Sequence, residues 1–230
     1  MLKRLNAQII MEEILGIREV EREIMAAKIA KRTANFANKV IQEINISETE
    51  IDTPISFEEA KILGRVYFSK TIFNEDVIFR SAIVNHTFYL GESTIKGNLE
   101  CQKIKVREGL NLVGARIKKN ADLEEAVIKG FLGMNKVEVM GKINLKKAAI
   151  LDLEDPTGII EGDVYLQKAD VRDINMEGAM IEGSLDMQGI TIFGSLNMTN
   201  TKINNILLLK GSIIRGDLKI DGLEYKERIA

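Results

Sequence analysis

An eleven-residue sentence repeats almost word for word between Glu182 and Gly222: EGSLDMQGITI, FGSLNMTNTKI, NNILLLKGSII, then RGDLKIDG. Each copy has the form x-G-x-L-x-L-x-x-A-x-I, with apolar or small residues at positions 4, 6, 9 and 11. A fixed period of this kind constrains the fold more than any other feature, because each unit is too short to bury a face alone. Counted back by eleven, position 11 falls on Ile62, Phe73, Val84, Ile95, Val106, Ile117, Ile128, Val139 and Ile150. It continues through Ile160, Val171, Ile181, Ile192, Ile203, Ile214 and Tyr225. Position 4 is apolar throughout, from Ile55 and Val66 to Leu207 and Leu218. Position 6 runs from Phe57, Phe68 and Phe79 to Met187, Met198, Leu209 and Ile220, and position 9 is mostly Ala, Ser or Thr.

The inward positions are separated by two, three, two and then four residues. A spacing of two puts both side chains on one face of an extended segment, and the remaining residues suffice only for a corner. No helical period fits this series. The prediction is a mainly β, right-handed parallel β-helix of about eight 22-residue coils, its backbone groups paired from coil to coil. Position 11 should form two continuous Ile/Val ladders inside it. Glycine recurs at position 2, as Gly64, Gly97, Gly130, Gly141, Gly162, Gly183, Gly194 and Gly216, and is expected there for a corner of positive φ.

The A-x-I and L-x-L pairs, three residues apart, resemble the pentapeptide-repeat family, whose four-sided coils place inward residues at five-residue intervals. Leu153 to Ile160 and Ile174 to Ile181 match that spacing; elsewhere each half-coil carries one residue more. A fainter resemblance, in the G-x-I/L rhythm, is to the polymer-forming bactofilins. Both cover about residues 52–225 and imply the fold. The first also implies an alternative function, mimicry of DNA toward topoisomerases, which the charge distribution below opposes.

Residues 1–51 follow other rules. Leu2, Leu5, Ile9, Ile10, Ile14, Ile17, Val20, Ile24, Met25 and Ile29 recur at helical spacing, with charges between them. The expectation is an amphipathic helix, broken near Thr33-Ala34-Asn35 into a second one ending around Ile44. It either caps the first coil or projects for self-association. The solenoid is expected over 52–230, with a break at Leu151–Gly158, where Asp155 occupies an inward slot and Asp155-Pro156 should turn toward water.

Charge is uneven along the chain. Residues 1–95 hold 12 basic and 14 acidic side chains, 96–147 hold 12 and 6, and 148–230 hold 8 and 14, balances of −2, +6 and −6. Because position along a solenoid maps onto axial height, this predicts a basic girdle above which the rod is acidic. Lys96, Arg107, Lys118 and Lys129 share position 1 of successive units; units two apart stack, so Lys96 should lie near Lys118 and Arg107 near Lys129, in columns that are candidates for meeting an anion or acidic surface. The other candidates are Leu218, Ile220 and Leu223 of the last coil, where the few residues after Tyr225 are too short for a cap and pairing with another chain is expected.

The catalytic inventory is thin. His86 is the one histidine, at a corner without an evident partner, so an acyltransferase of the hexapeptide-repeat kind is disfavoured. Cys101, the one cysteine, takes an inward slot and is expected as a buried thiol. Phosphate-loop, dinucleotide and nucleophile-elbow motifs do not occur. No enzyme activity, cofactor or metal is expected, and nucleic acid is not the expected partner. The expected role is a scaffold or protein-interaction rod. Without a signal-peptide pattern or a long apolar run, it is expected in the cytoplasm.

Overall fold

The computed structural model describes residues 13–151 and 163–229. The chain is a parallel β-solenoid of about nine turns with one helix near its start. Most strands are two residues long, and partners lie about one 22-residue coil apart, as in Ile62↔Val84↔Val106↔Ile128. Each coil has four sides. The first face carries Ile55, Val77 and Leu99 inward; the second carries Ile62, Val84 and Val106. The third carries Val66, Phe88 and Leu110; the fourth carries Phe73, Ile95 and Ile117. The second and third faces are nine-stranded sheets, while the fourth and first are linked into one fifteen-stranded network.

The repeat register predicts the interior correctly. Position 11 forms the two expected ladders, on the second and fourth faces, buried from Ile62 to Ile203 wherever described. Position 6 forms two more. On one side Phe36, Phe57 and Phe79 stack with ring centroids 4.8 and 4.6 Å apart, and the column continues as Cys101, Leu123, Leu145, Met176 and Met198. Small residues at position 9 leave room for these larger ones. Where position 9 is Thr or Ser, its hydroxyl donates to a carbonyl of the preceding coil: Thr71 to Ile46 at 3.0 Å and Thr201 to Met176 at 2.7 Å. Burial raises the Cys101 thiol well above its ordinary pKa, consistent with a packing role.

Two expectations about the first coil are overturned. The helix, α1, spans Ile17–Ala30, and no second helix follows it. Residues 34–51 instead form four short strands that pair with the coil above, Ala34↔Ile55, Val40↔Lys61, Ile44↔Val66 and Glu50↔Ile72. The solenoid therefore starts before Asp52, which is why it has about nine turns rather than eight. Ala34, Phe36, Ile41, Ile44 and Ile51 are all buried at the inward spacing of the repeat; that burial outweighed a weaker helical pattern.

Helix α1 lies against this first coil, with Val20 and Ala27 fully buried in the core. The Glu19 carboxylate accepts from the Gly16 N–H at 3.1 Å, and Lys31 ends the helix in the left-handed region, at φ 51°. Ion pairs tie the helix down: Arg32 Nη2 donates to Glu23 Oε2 at 2.9 Å, and Lys28 Nζ lies 2.5 Å from Asp52 Oδ2. The hydrogen bond from Lys28 holds the Asp52 carboxyl below its ordinary pKa. Leu2 to Ile10, and the expected break around Asp155-Pro156, fall outside the described residues.

The glycines at position 2 correct a third expectation. Of those described, only Gly130 has a positive φ, at 86°. They are needed because a corner passes too close to the one below. A Cβ on Gly141 would lie 2.5 Å from the Lys119 carbonyl oxygen, and one on Gly64 would lie 2.8 Å from that of Gln42. The left-handed residue is at position 8 instead, held by Glu59, Lys70, Ser81 and Glu92 in early coils and by Gly178, Gly189 and Gly211 in late ones.

Candidate interaction surfaces

The four basic candidates stack in the two pairs expected from the repeat spacing. Lys96 and Lys118 stack at the corner between the fourth and first faces, following the register Ile95↔Ile117. Arg107 and Lys129 stack at the corner between the second and third faces, following Val106↔Ile128. Chain order makes these corners opposite, so the positive charge is split into two columns facing away from each other. Other outward charges pair from coil to coil, as in Arg116–Glu138 at 3.1 Å and Lys146–Glu177 at 3.2 Å. Among the described residues, Lys118, Lys119, Lys129 and Lys142 make no ion pair.

The apolar candidates occupy the last coil. Leu218 and Ile220 are 51% and 50% exposed, and Leu223 is half-buried. They share a concavity of about 180 Å³ with Leu196, Leu207 and Tyr225, at the axial end of the interior ladders. Leu218 and Ile220 hold positions 4 and 6, which are buried in coils with a neighbour on both sides. Their exposure follows from having a partner coil on one side only: Leu196↔Leu218 is the terminal pair of the first-face ladder.

His86, expected without a partner, has one. Its Nδ1 lies 2.6 Å from Glu108 Oε1, directly across one coil, and Thr87 donates to the other oxygen of the same carboxylate at 3.1 Å. The pair sits on an exposed corner. Among the described residues no group of three or more His, Cys, Asp or Glu side chains could hold a metal, and no helix is long and apolar enough to cross a membrane.

Two features escaped the sequence reading. One is an amide ladder on the outer surface of the first face. The Asn175 Nδ2 donates to Asn144 at 3.3 Å and the Asn197 Nδ2 to Asn175 at 3.1 Å, while each Oδ1 accepts an N–H two residues on. Its signal was the recurrence of Asn and Asp at position 5. The other is a notch at the fourth-to-first corner. The long strand Glu138–Asn144 pairs with Asp170–Asn175, but Val139↔Val171 and Lys142↔Asp173 leave two residues, Met140 and Gly141, opposite Arg172 alone. Met140, 63% exposed at the outward position 1, stands at this bulge and lines a concavity of about 740 Å³ together with Phe193. Unequal corner lengths in successive units were its signal.

No family model, curated protein or solved structure matches the chain.

Proposed function

We propose that the chain is a non-enzymatic interaction scaffold that pairs with a second copy through its last coil. The observation that carries this reading is the concave apolar end formed by Leu196, Leu207, Leu218, Ile220, Leu223 and Tyr225. A stack of main-chain hydrogen-bonding edges framed by aliphatic side chains is suited to another stack of the same kind. The charges around it favour a second copy. Arg215, Lys219, Lys226 and Arg228 are interspersed with Asp217, Asp221, Glu224 and Glu227, four of each sign, so the end carries both halves of the ion pairs that a two-fold contact can form. Helix α1 occupies the other end, so this mode of growth stops at a dimer. The association would rest on aliphatic burial and backbone pairing, with no cofactor.

Analytical ultracentrifugation of the wild type beside Leu218→Arg/Leu223→Arg tests the proposal. It expects a dimer for the wild type at tens of micromolar, roughly the range of a modest apolar interface, and a monomer for the variant. A monodisperse wild-type monomer under those conditions contradicts it.

A further inference from the structure

We propose that the outward side of the second face, between Lys61 and Leu151, lies flat on an anionic lipid bilayer, its cations at the charged headgroups and its aliphatic side chains at the boundary beneath them. This goes beyond the interaction-scaffold reading and uses a surface apart from the end of the last coil.

The repeat places two outward columns side by side on this face. Position 10 points outward from each strand, and position 1 follows two residues later on the same side. The first column reads Lys61↔Ile83↔Lys105↔Val127↔Ala149, each one coil above the last and without a bulge. The second reads Leu63, Asn85, Arg107, Lys129 and Leu151. Its backbone is held in the same ladder: the Asn85 N–H donates to the Ile62 carbonyl at 3.0 Å, and the Arg107 N–H to that of Val84 at 3.1 Å. Four rises of ~4.8 Å make the patch about 19 Å long.

Every charge in these two columns is positive. Lys61, Lys105, Arg107 and Lys129 share them with no carboxylate, and among the described residues none of the four makes an ion pair. The carboxylates along the borders are largely engaged. Glu108 meets His86 at 2.6 Å and accepts from Thr87 at 3.1 Å, and Glu125 faces Lys103 at 3.7 Å and Lys147 at 4.0 Å. Glu59, at the lower edge, has no such partner. On the opposite, fourth face the same position 10 holds Glu50, Glu138 and Asp170, with Arg116 its only cation. The whole chain carries a net charge of −2, so attraction to an anionic surface must come from a local concentration of this kind.

What lies between the cations selects a bilayer over other anionic partners. Leu63, Ile83, Val127, Ala149 and Leu151 occupy the same plane and are all half-buried. Lysine and arginine stems can lie along such aliphatic surface while their charged ends reach outward. Cations and aliphatic groups sharing one face suit a headgroup layer, with phosphates outside and acyl chains behind. A nucleic acid would press its phosphates onto the aliphatic groups, and the two columns hold no aromatic ring on which a base could stack. A folded acidic partner would need carboxylates matched to this one spacing, whereas mobile lipids bring their charges to the cations.

The probes are phosphatidylcholine vesicles with and without about 30% phosphatidylserine, with a double-stranded oligonucleotide and polyglutamate as competitors. The full chain should sediment with the phosphatidylserine vesicles below about 1 mM lipid and stay in solution with phosphatidylcholine alone. Lys105→Glu/Arg107→Glu should weaken partitioning about ten-fold or more. Lys118→Glu/Lys119→Glu, an equal change of charge at the corner opposite, should weaken it less than about three-fold, because salt screens the distance between them. Ile83→Thr/Val127→Thr keeps the β-branched shape and should weaken it about three-fold or more. The four charged side chains are exposed, so both charge variants should keep the wild-type melt. Leu218→Arg/Leu223→Arg should still sediment, which tells a failed dimer from a failed face. No sedimentation with phosphatidylserine vesicles up to about 5 mM lipid overturns the proposal. So does equal loss in the two charge variants, full-strength binding by Ile83→Thr/Val127→Thr, or release from the vesicles by an equal charge of oligonucleotide or polyglutamate.

Discussion

The two ends of the rod are built from the same repeat and finished in opposite ways. In the first coil Phe36 stacks on Phe57, and α1 closes the end with Val20 and Ala27 in the core. In the last, Ile220 holds the same ladder position as Phe36 and Phe57, yet is half exposed. The left-handed corner slot is shared by both halves: Lys70 and Glu48 stack there 3.6 Å apart in early coils, and late coils use Lys168 and Asn200 as well as Gly178, Gly189, Gly211 and Gly222. A solenoid's interior is set by its repeat, and its ends are set by what is appended to them. Structural identity lies in the ladders, and the pairing proposed above lies where a ladder stops.

This contrast can be broken from the middle outward. Ile128 has a coil on both sides and no exposed surface, so Ile128→Asp should cost more than about 4 kcal/mol or prevent folding. Wild-type melting of that variant would mean the register is wrong.

The sharper comparison uses one ladder at two heights. Phe57→Ala removes a ring stacked on both sides and should cost about 3–5 kcal/mol in urea unfolding. Ile220→Ala in the same ladder should cost under about 1 kcal/mol when measured on the monomer. Equal costs would erase the distinction between closed and open ends.

Smaller effects than that of Phe57→Ala separate two uses of glycine. Gly141→Ala would bring a Cβ within 2.5 Å of a backbone oxygen, and should cost about 2–3 kcal/mol through displacement of the corner. Gly189→Ala meets nothing nearer than 3.5 Å, so its cost, about 1 kcal/mol, is that of the left-handed conformation alone, at φ 67°. Reversed magnitudes would show that close packing of corners is not what position 2 requires.

Most of the interior was legible in the sequence because inward positions repeat at fixed intervals and a one-residue slip would expose a whole ladder. The register from Ile62 to Ile203 needed nothing else. The first coil was missed because no Gly or Pro interrupts the chain between Ile17 and Pro54, so helix was carried past Ala34 and Phe36, whose spacing of two is that of a strand. Of the candidate contacts, Leu218 and Ile220 were legible as the last members of their ladders. The pairing of Lys96 with Lys118 and of Arg107 with Lys129 was legible too, because units two apart stack; that the two pairs stand at opposite corners needed the four-sided coil. The Met140 notch depends on a difference in length between two adjacent corners, which no single unit contains.

The central claim is that one end of the rod is closed by its own helix and the other by a second copy. Hydrogen exchange across a protein dilution series tests this most directly. The account predicts slow exchange for residues 34–57 at every concentration, and protection of residues 206–229 that grows as the dimer forms. Protection of 206–229 that is independent of concentration, or exchange of 34–57 as fast as that of the last coil, would contradict it.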